Sequence, residues 1–142
     1  MERIAAAELL LHAGDFSTGG ALRELEAIGP PLVGVHGNVD SAEVRRLLPE
    51  ERVVEAAGVR IALVHDAGPA RRRLARMRGH FAERADAVVF GHSHLPLHES
   101  ADDGFQIFNP GSPTERRRAP SRTMGLAHVS AGRVTFELID LG

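Results

Sequence analysis

Four short apolar runs, each stopping at a glycine or tight turn beside a side chain that can bind metal, constrain this chain more than any other feature. Leu9-Leu10-Leu11-His12 ends at Gly14-Asp15, and Leu32-Val33-Gly34-Val35 ends at Gly37-Asn38. The run 59–64 ends at His65-Asp66, and Ala87-Val88-Val89-Phe90 ends at Gly91-His92-Ser93-His94. Runs this short, closed by turn residues, read as buried strands. In open α/β sheets, ligands collect beyond the carboxyl ends of the strands, so side chains far apart in sequence but alike in this position converge. The chain has no cysteine, which excludes a disulfide framework, a thiolate metal site and a thiol nucleophile. A mixed Asp/Asn/His set suits Mn²⁺, Fe²⁺, Ni²⁺, Co²⁺ or Zn²⁺.

The segments between these runs complete an α/β pattern. Leu22, Leu25 and Ile28 lie at helical spacing after Ser17 and Thr18, with Gly29-Pro30-Pro31 as the stop. Residues 53–56 and 59–64 predict a hairpin turning near Ala57-Gly58. From Pro69 to Arg84, the residues Leu74, Met77, Phe81 and Ala85 recur at spacings of three and four, with Arg72, Arg73 and Arg76 on the other side. This predicts an amphipathic surface helix whose arginine cluster, Arg71 to Arg78, is its wet face. Phe105–Phe108, Met124–Val129 and Val134–Ile139 read as strands of a β-rich C-terminal half. With no linker or repeat, the expectation is one domain over 1–142, in which two packed sheets carry helices outside and right-handed crossovers join the strands.

At 142 residues, 43% hydrophobic and 25% charged with net charge −2, the chain has no bulk attraction for nucleic acid or an anionic membrane. The charged opening Met1–Glu8 is neither a secretory signal nor a spanning helix, so the default expectation is a cytoplasmic location with no membrane partner. All 17 Lys+Arg residues are Arg, for which a GC-rich genome is a simpler account than selection for ion pairing, and neither bears on function.

Taken in order, Gly14-Asp15, Gly37-Asn38-Val39-Asp40, His65, Gly91-His92-Ser93-His94 and Asn109-Pro110-Gly111-Ser112 resemble the motifs of calcineurin-like metallophosphoesterases, in particular their small bacterial and archaeal phosphodiesterases. The resemblance implies a sandwich of two mixed β-sheets flanked by helices and a metal-dependent phosphoesterase, of phosphodiesterase type, acting on a small-molecule phosphoester. It also implies two divalent ions. Asp15 would bridge them, Asn38, His65 and His92 would complete the second ion's ligands, and His94 would serve the first. Catalysis would rest on Asp15, Asn38 and His65, with a metal-bound hydroxide as nucleophile for in-line hydrolysis. Asp40 would orient a ligand or loop, and Asn109 would border the metal pocket. Arg116, with Arg117 and Arg118, could meet a phosphate bidentately, although a solvated loop is the simpler reading. His12 and His36 flank the motifs and read as strand-end packing rather than ligands, and His80, His98 and His128 as ordinary histidines.

The chain departs from the family pattern in three places. Family members begin with a strand carrying Asp-x-His, and none occurs here, so the fold is expected to lack its first strand and the first metal its full ligand set. A start codon placed too late, or a truncated chain, is the leading hypothesis; an in-frame Asp-x-His upstream in the source DNA would support it and a stop codon there would sink it. The sheet edge left exposed would favour a homo-oligomer. Val39 stands where many relatives carry a histidine able to protonate the leaving group, which favours substrates with good leaving groups. Asp66 stands where a glycine is usual, as an intruder or an extra ligand. The rival reading is a protein-binding module on the same fold, as a retromer subunit of the superfamily is thought to be.

Overall fold

The computed structural model describes residues 10–12, 32–37, 41–93, 95–112 and 123–142. Strands β1 (Leu10–His12) and β2 (Leu32–Gly34) pair in parallel, Leu10 opposite Leu32. Helix α1 (Ala42–Leu47) follows, capped by Ser41, whose Oγ accepts from the Val44 N–H at 3.4 Å. Its signals were a serine cap, Glu43 in the first turn and Pro49 beyond the end, but in six residues it buries only Val44. That is too little periodicity to reveal it.

Strands β3 (Glu51–Ala56) and β4 (Val59–Val64) form the expected hairpin, with Ala56 opposite Val59 and Ala57 and Gly58 both left-handed at the turn. After helix α2 (Arg73–His80) come β5 (Ala87–Phe90), β6 (Leu97–Ser100) and β7 (Gln106–Asn109). They build a mixed sheet of order β3-β4-β5-β7-β6 in which β4, β5 and β7 are parallel and the outer strands antiparallel. Strand β6 escaped sequence reading because Leu-His-Glu-Ser on a sheet edge buries only Leu97, and that partly. Strands β8 (Thr123–Ser130) and β9 (Arg133–Asp140) form a separate antiparallel ribbon.

Because strand side chains alternate, each central strand feeds two cores. Val59, Ile61, Leu63, Ala87, Val89 and Phe108 join Val35 and Phe136 on one face, with Leu11 and Val33 packed against them. Ala62, Val88, Phe90 and Ile107 meet Phe81 and Ala85 on the other, with Leu74 and Met77 of α2 against them. The large sheet therefore lies between α2 and the β1/β2 and β8/β9 strands. Phe108 and Phe136 stack with centroids 4.6 Å apart, tying the ribbon to the sheet. The architecture is α/β with a mixed sheet, as expected.

Helix α2 is shorter than the expected 69–84. Arg72 is left-handed at φ 54°, which an α-helix cannot contain, so the helix begins at Arg73, and Phe81 at its end drops into the core, fully buried. Its arginines are not simply a wet face. Arg73 lies over the Phe90 ring, 5.0 Å from the centroid, and Arg76 folds back onto the carbonyls of Ala67 and Arg71. Arg78 pairs with Asp103 at 2.7 Å.

Candidate metal centre

The parallel strands β4 and β5 end side by side, Val64 opposite Phe90, and the ladder runs one step further as the Gly91 N–H donates to the His65 carbonyl at 2.9 Å. The next side chains therefore meet. His92 Nδ1 and His65 Nε2 are 3.2 Å apart, with the rings edge-to-face at 84°. His65 is buried, at 6% exposure, and His92 half-buried. One ring nitrogen of the pair donates and the other accepts, according to tautomer.

The spacing also fits a shared ion. With metal–nitrogen bonds of roughly 2.1 Å, two nitrogens 3.2 Å apart correspond to an angle of roughly 100° at the metal, between octahedral and tetrahedral values. Neutral imidazoles are the usual nitrogen ligands of divalent transition metals. The pair thus fits half of a metal site. Among the described residues no group of three or more His, Cys, Asp and Glu side chains could hold an ion. Asp15, Asn38, Asp40, His94 and Arg116 lie outside the described residues.

His92 adopts φ +70°, a left-handed conformation uncommon for any residue but glycine. Asn109, fully buried at the end of β7, holds it there. Its Nδ2 donates to the Gly91 carbonyl at 3.1 Å and to Ser93 Oγ at 3.3 Å, while its Oδ1 accepts from the Gly111 N–H at 2.9 Å. The amide nitrogen is thus engaged with the carbonyl and the hydroxyl on either side of His92, and the amide oxygen with the turn that follows β7. Ser93 Oγ also accepts from the Leu95 N–H at 3.2 Å, closing the turn after the histidine.

The Asn109-Pro110-Gly111-Ser112 turn is fixed in its own right. Gly111 has φ +74°, and a Cβ there would fall 1.9 Å from Thr123 Oγ1, which donates to the Pro110 carbonyl at 2.7 Å. Only glycine meets both conditions. Asp66 is exposed and its Oδ1 accepts from the Gly68 N–H at 2.8 Å, so this carboxylate closes a tight turn after His65. His12 and His36 take part in strand-end pairing through their backbones, His12 accepting from Val35 and His36 donating to Pro49.

Sequence reading missed Ser93 and Thr123 as loop supports, and Arg73 and Arg76 as partners of the loop after His65. Ser93 was visible inside the histidine motif, but the others act through contacts between elements that local pattern does not encode. No helix among the described residues is long and apolar enough to cross a membrane.

The chain is 32% identical over 136 residues to a probable metallophosphoesterase of Methanothermobacter thermautotrophicus, covering 95% of this chain and 77% of that one. A Thermotoga maritima protein solved by solution NMR superposes with a TM-score of 0.74 at 27% identity, over 98% of this chain and 84% of that one. Wild-type Vps29 of Entamoeba histolytica, crystallised with Zn²⁺, shares the fold at 19% identity, with a TM-score of 0.74 over 99% of this chain and 87% of that one. The family model for the calcineurin-like phosphoesterase superfamily domain matches residues 1–132, and the chain belongs to that superfamily.

Proposed function

We propose that the chain is a metal-dependent phosphoesterase of phosphodiesterase type that acts on a small phosphoester substrate. The observation that carries the reading is the His65–His92 pair, with nitrogens 3.2 Å apart at the ends of adjacent parallel strands, in a chain of this superfamily. Divalent ions supply Lewis-acid polarisation of the phosphoryl group and lower the pKa of a coordinated water. In the proposed site Asp15, Asn38 and His94 would join His65 and His92 as ligands of divalent ions, the carboxylate of Asp15 supplying oxygen donors. His65 and His92 would hold an ion through their ring nitrogens, and the Asn109 amide holds the loop that carries His92. Mn²⁺, Ni²⁺, Fe²⁺, Co²⁺ and Zn²⁺ all accept such nitrogen and oxygen donors.

The test is hydrolysis of an activated aryl phosphodiester and of the matching monoester with added Mn²⁺ or Ni²⁺, using the unaltered chain, Asp15→Ala and His65→Ala. Metal-dependent diester turnover lost in both variants is the expected result. Turnover of the monoester alone would revise the substrate type. Absence of metal-dependent turnover with either substrate would refute the enzyme reading in favour of a binding module on the same fold.

A further inference from the structure

The segment after His65, residues 66–71, runs from β4 toward α2 outside strand and helix, so most of its carbonyls need donors from elsewhere. Two arginines of α2 supply them. Arg76 Nη1 donates to the Ala67 carbonyl at 3.0 Å, Nη2 to the Pro69 carbonyl, and Nε and Nη2 each to the Arg71 carbonyl at 3.2 Å. Arg73 donates to the Gly68 carbonyl through Nε at 3.3 Å and Nη2 at 3.1 Å. The fit is close: a Cβ on Gly68, itself left-handed at φ +79°, would lie 2.7 Å from Arg76 Nη1. At the same time the Arg73 guanidinium sits on the face of Phe90, the residue two before His92. One helix thus grips the chain just after the first histidine and just before the second.

We propose that Arg76, together with Arg73, is a positioning residue for the His65–His92 pair, setting the separation at which the two imidazoles bind one ion. This rests on the metal-site reading above. Arginine is needed because its planar fork spreads donors over three carbonyls, whereas an ammonium on a flexible stem offers its donors from a single point. Arg76→Lys therefore keeps the charge and loses most of the grip.

The experiment titrates Mn²⁺ into the purified chain and its variants and records histidine ring ¹⁵N spectra of each without metal, assigned with His65→Ala and His92→Ala. Arg78→Met, which removes the Arg78–Asp103 pair elsewhere on the same helix, is the control for a general loss of helix stability. The expected result is that Arg76→Met raises the Mn²⁺ dissociation constant about tenfold, the lower end of the effect of removing support behind a metal ligand, and Arg76→Lys raises it less. The His65 and His92 resonances should shift in both variants and remain unchanged in Arg78→Met. Unchanged resonances in the Arg76 variants, or an equal loss of affinity in Arg78→Met, would overturn the proposal. Should Arg76→Met not fold, Arg76→Lys and Gly68→Ala, which crowds the same contact from the loop side, are read by the same criteria. If His65→Ala binds Mn²⁺ as tightly as the unaltered chain, the metal-site reading fails instead, while the metal-free resonances still decide whether Arg76 sets the geometry of the pair.

Discussion

Replacing Asn109 by alanine should unfasten the loop that carries His92. The side chain is fully buried and makes three hydrogen bonds, to the Gly91 carbonyl, to Ser93 Oγ and from the Gly111 N–H. At about 1 kcal/mol net for each, their loss costs about 3 kcal/mol. The Gly91 carbonyl keeps a second partner, the Ser93 N–H at 2.9 Å, and Gly111 is only half-buried, so water can replace part of what is lost there. The penalty for orphaned groups is therefore small. With a urea m-value of about 2 kcal/mol/M, the unfolding midpoint should fall by about 1.5 M. Asn109→Asp separates the hydrogen-bond pattern from the volume. It keeps an acceptor for Gly111 but turns an oxygen toward the Gly91 carbonyl in a buried site, which raises the carboxyl pKa of the folded state. The folded variant then binds more protons than the unfolded one, so its stability rises as pH falls from 7 toward 5. Urea unfolding at both pH values is the assay. An Ala variant within about 0.5 kcal/mol of the parent, or an Asp variant with no such pH dependence, would refute the role given to this amide.

Gly125→Ala would place a Cβ 2.4 Å from Phe108 Cε2 and 3.1 Å from the Pro110 Cβ, and Phe108 cannot retreat because it is stacked on Phe136. Overpacking of this kind costs about 2 kcal/mol, so the melting temperature should fall by roughly 5 °C in a thermal scan; an unchanged value would mean that the β8/β9 ribbon slides freely over the sheet. Asp86 is held below the usual carboxylate range first by the Arg60 main-chain N–H at 2.8 Å and then by the Arg60 guanidinium. A lowered folded-state pKa contributes stability that is present above the ordinary aspartate range and lost as pH falls through the folded value. With the Asp86 side chain 45% exposed, solvent screening keeps this under about 1 kcal/mol. The stability gap between the parent and Asp86→Asn should therefore narrow between pH 6 and pH 3, roughly the range spanning carboxylate titration, and a gap that stays constant would contradict the pairing.

What could be read from sequence divides along a physical line. The buried strands were legible because a strand covered on both faces is apolar at every position, as Ala87-Val88-Val89-Phe90 is. The hairpin was legible because Ala57-Gly58 separates two runs at hairpin spacing. Elements that bury one side chain or less, α1 with Val44 and β6 with half-buried Leu97, have no pattern to read. The start of α2 was misplaced because periodicity in Leu74, Met77 and Phe81 records which residues face the core and not the left-handed Arg72 that interrupts the helix. At the site, sequence order brought His65 and His92 to neighbouring strand ends, where they do meet. The grip of Arg73 and Arg76 was illegible because it depends on where a loop without periodicity passes under a helix.

The backbone at His92 bears on whether this meeting of histidines is incidental. A residue with a Cβ in the left-handed region costs about 1 kcal/mol or more, and glycine would remove that cost. At position 92 it is a histidine, not a glycine, that takes the positive φ. A loop with only a turn to make would be more stable with glycine at position 92. Here the strained residue is flanked by two anchors on one buried amide, the Gly91 carbonyl before it and Ser93 Oγ after it, and its Nδ1 is brought to within 3.2 Å of His65. The surrounding contacts over-determine a conformation that local energetics disfavour, and what the conformation yields is the approach of two nitrogen donors. That arrangement has a physical rationale if the pair is used together, and the most direct use for two imidazole nitrogens at this separation is a common ion.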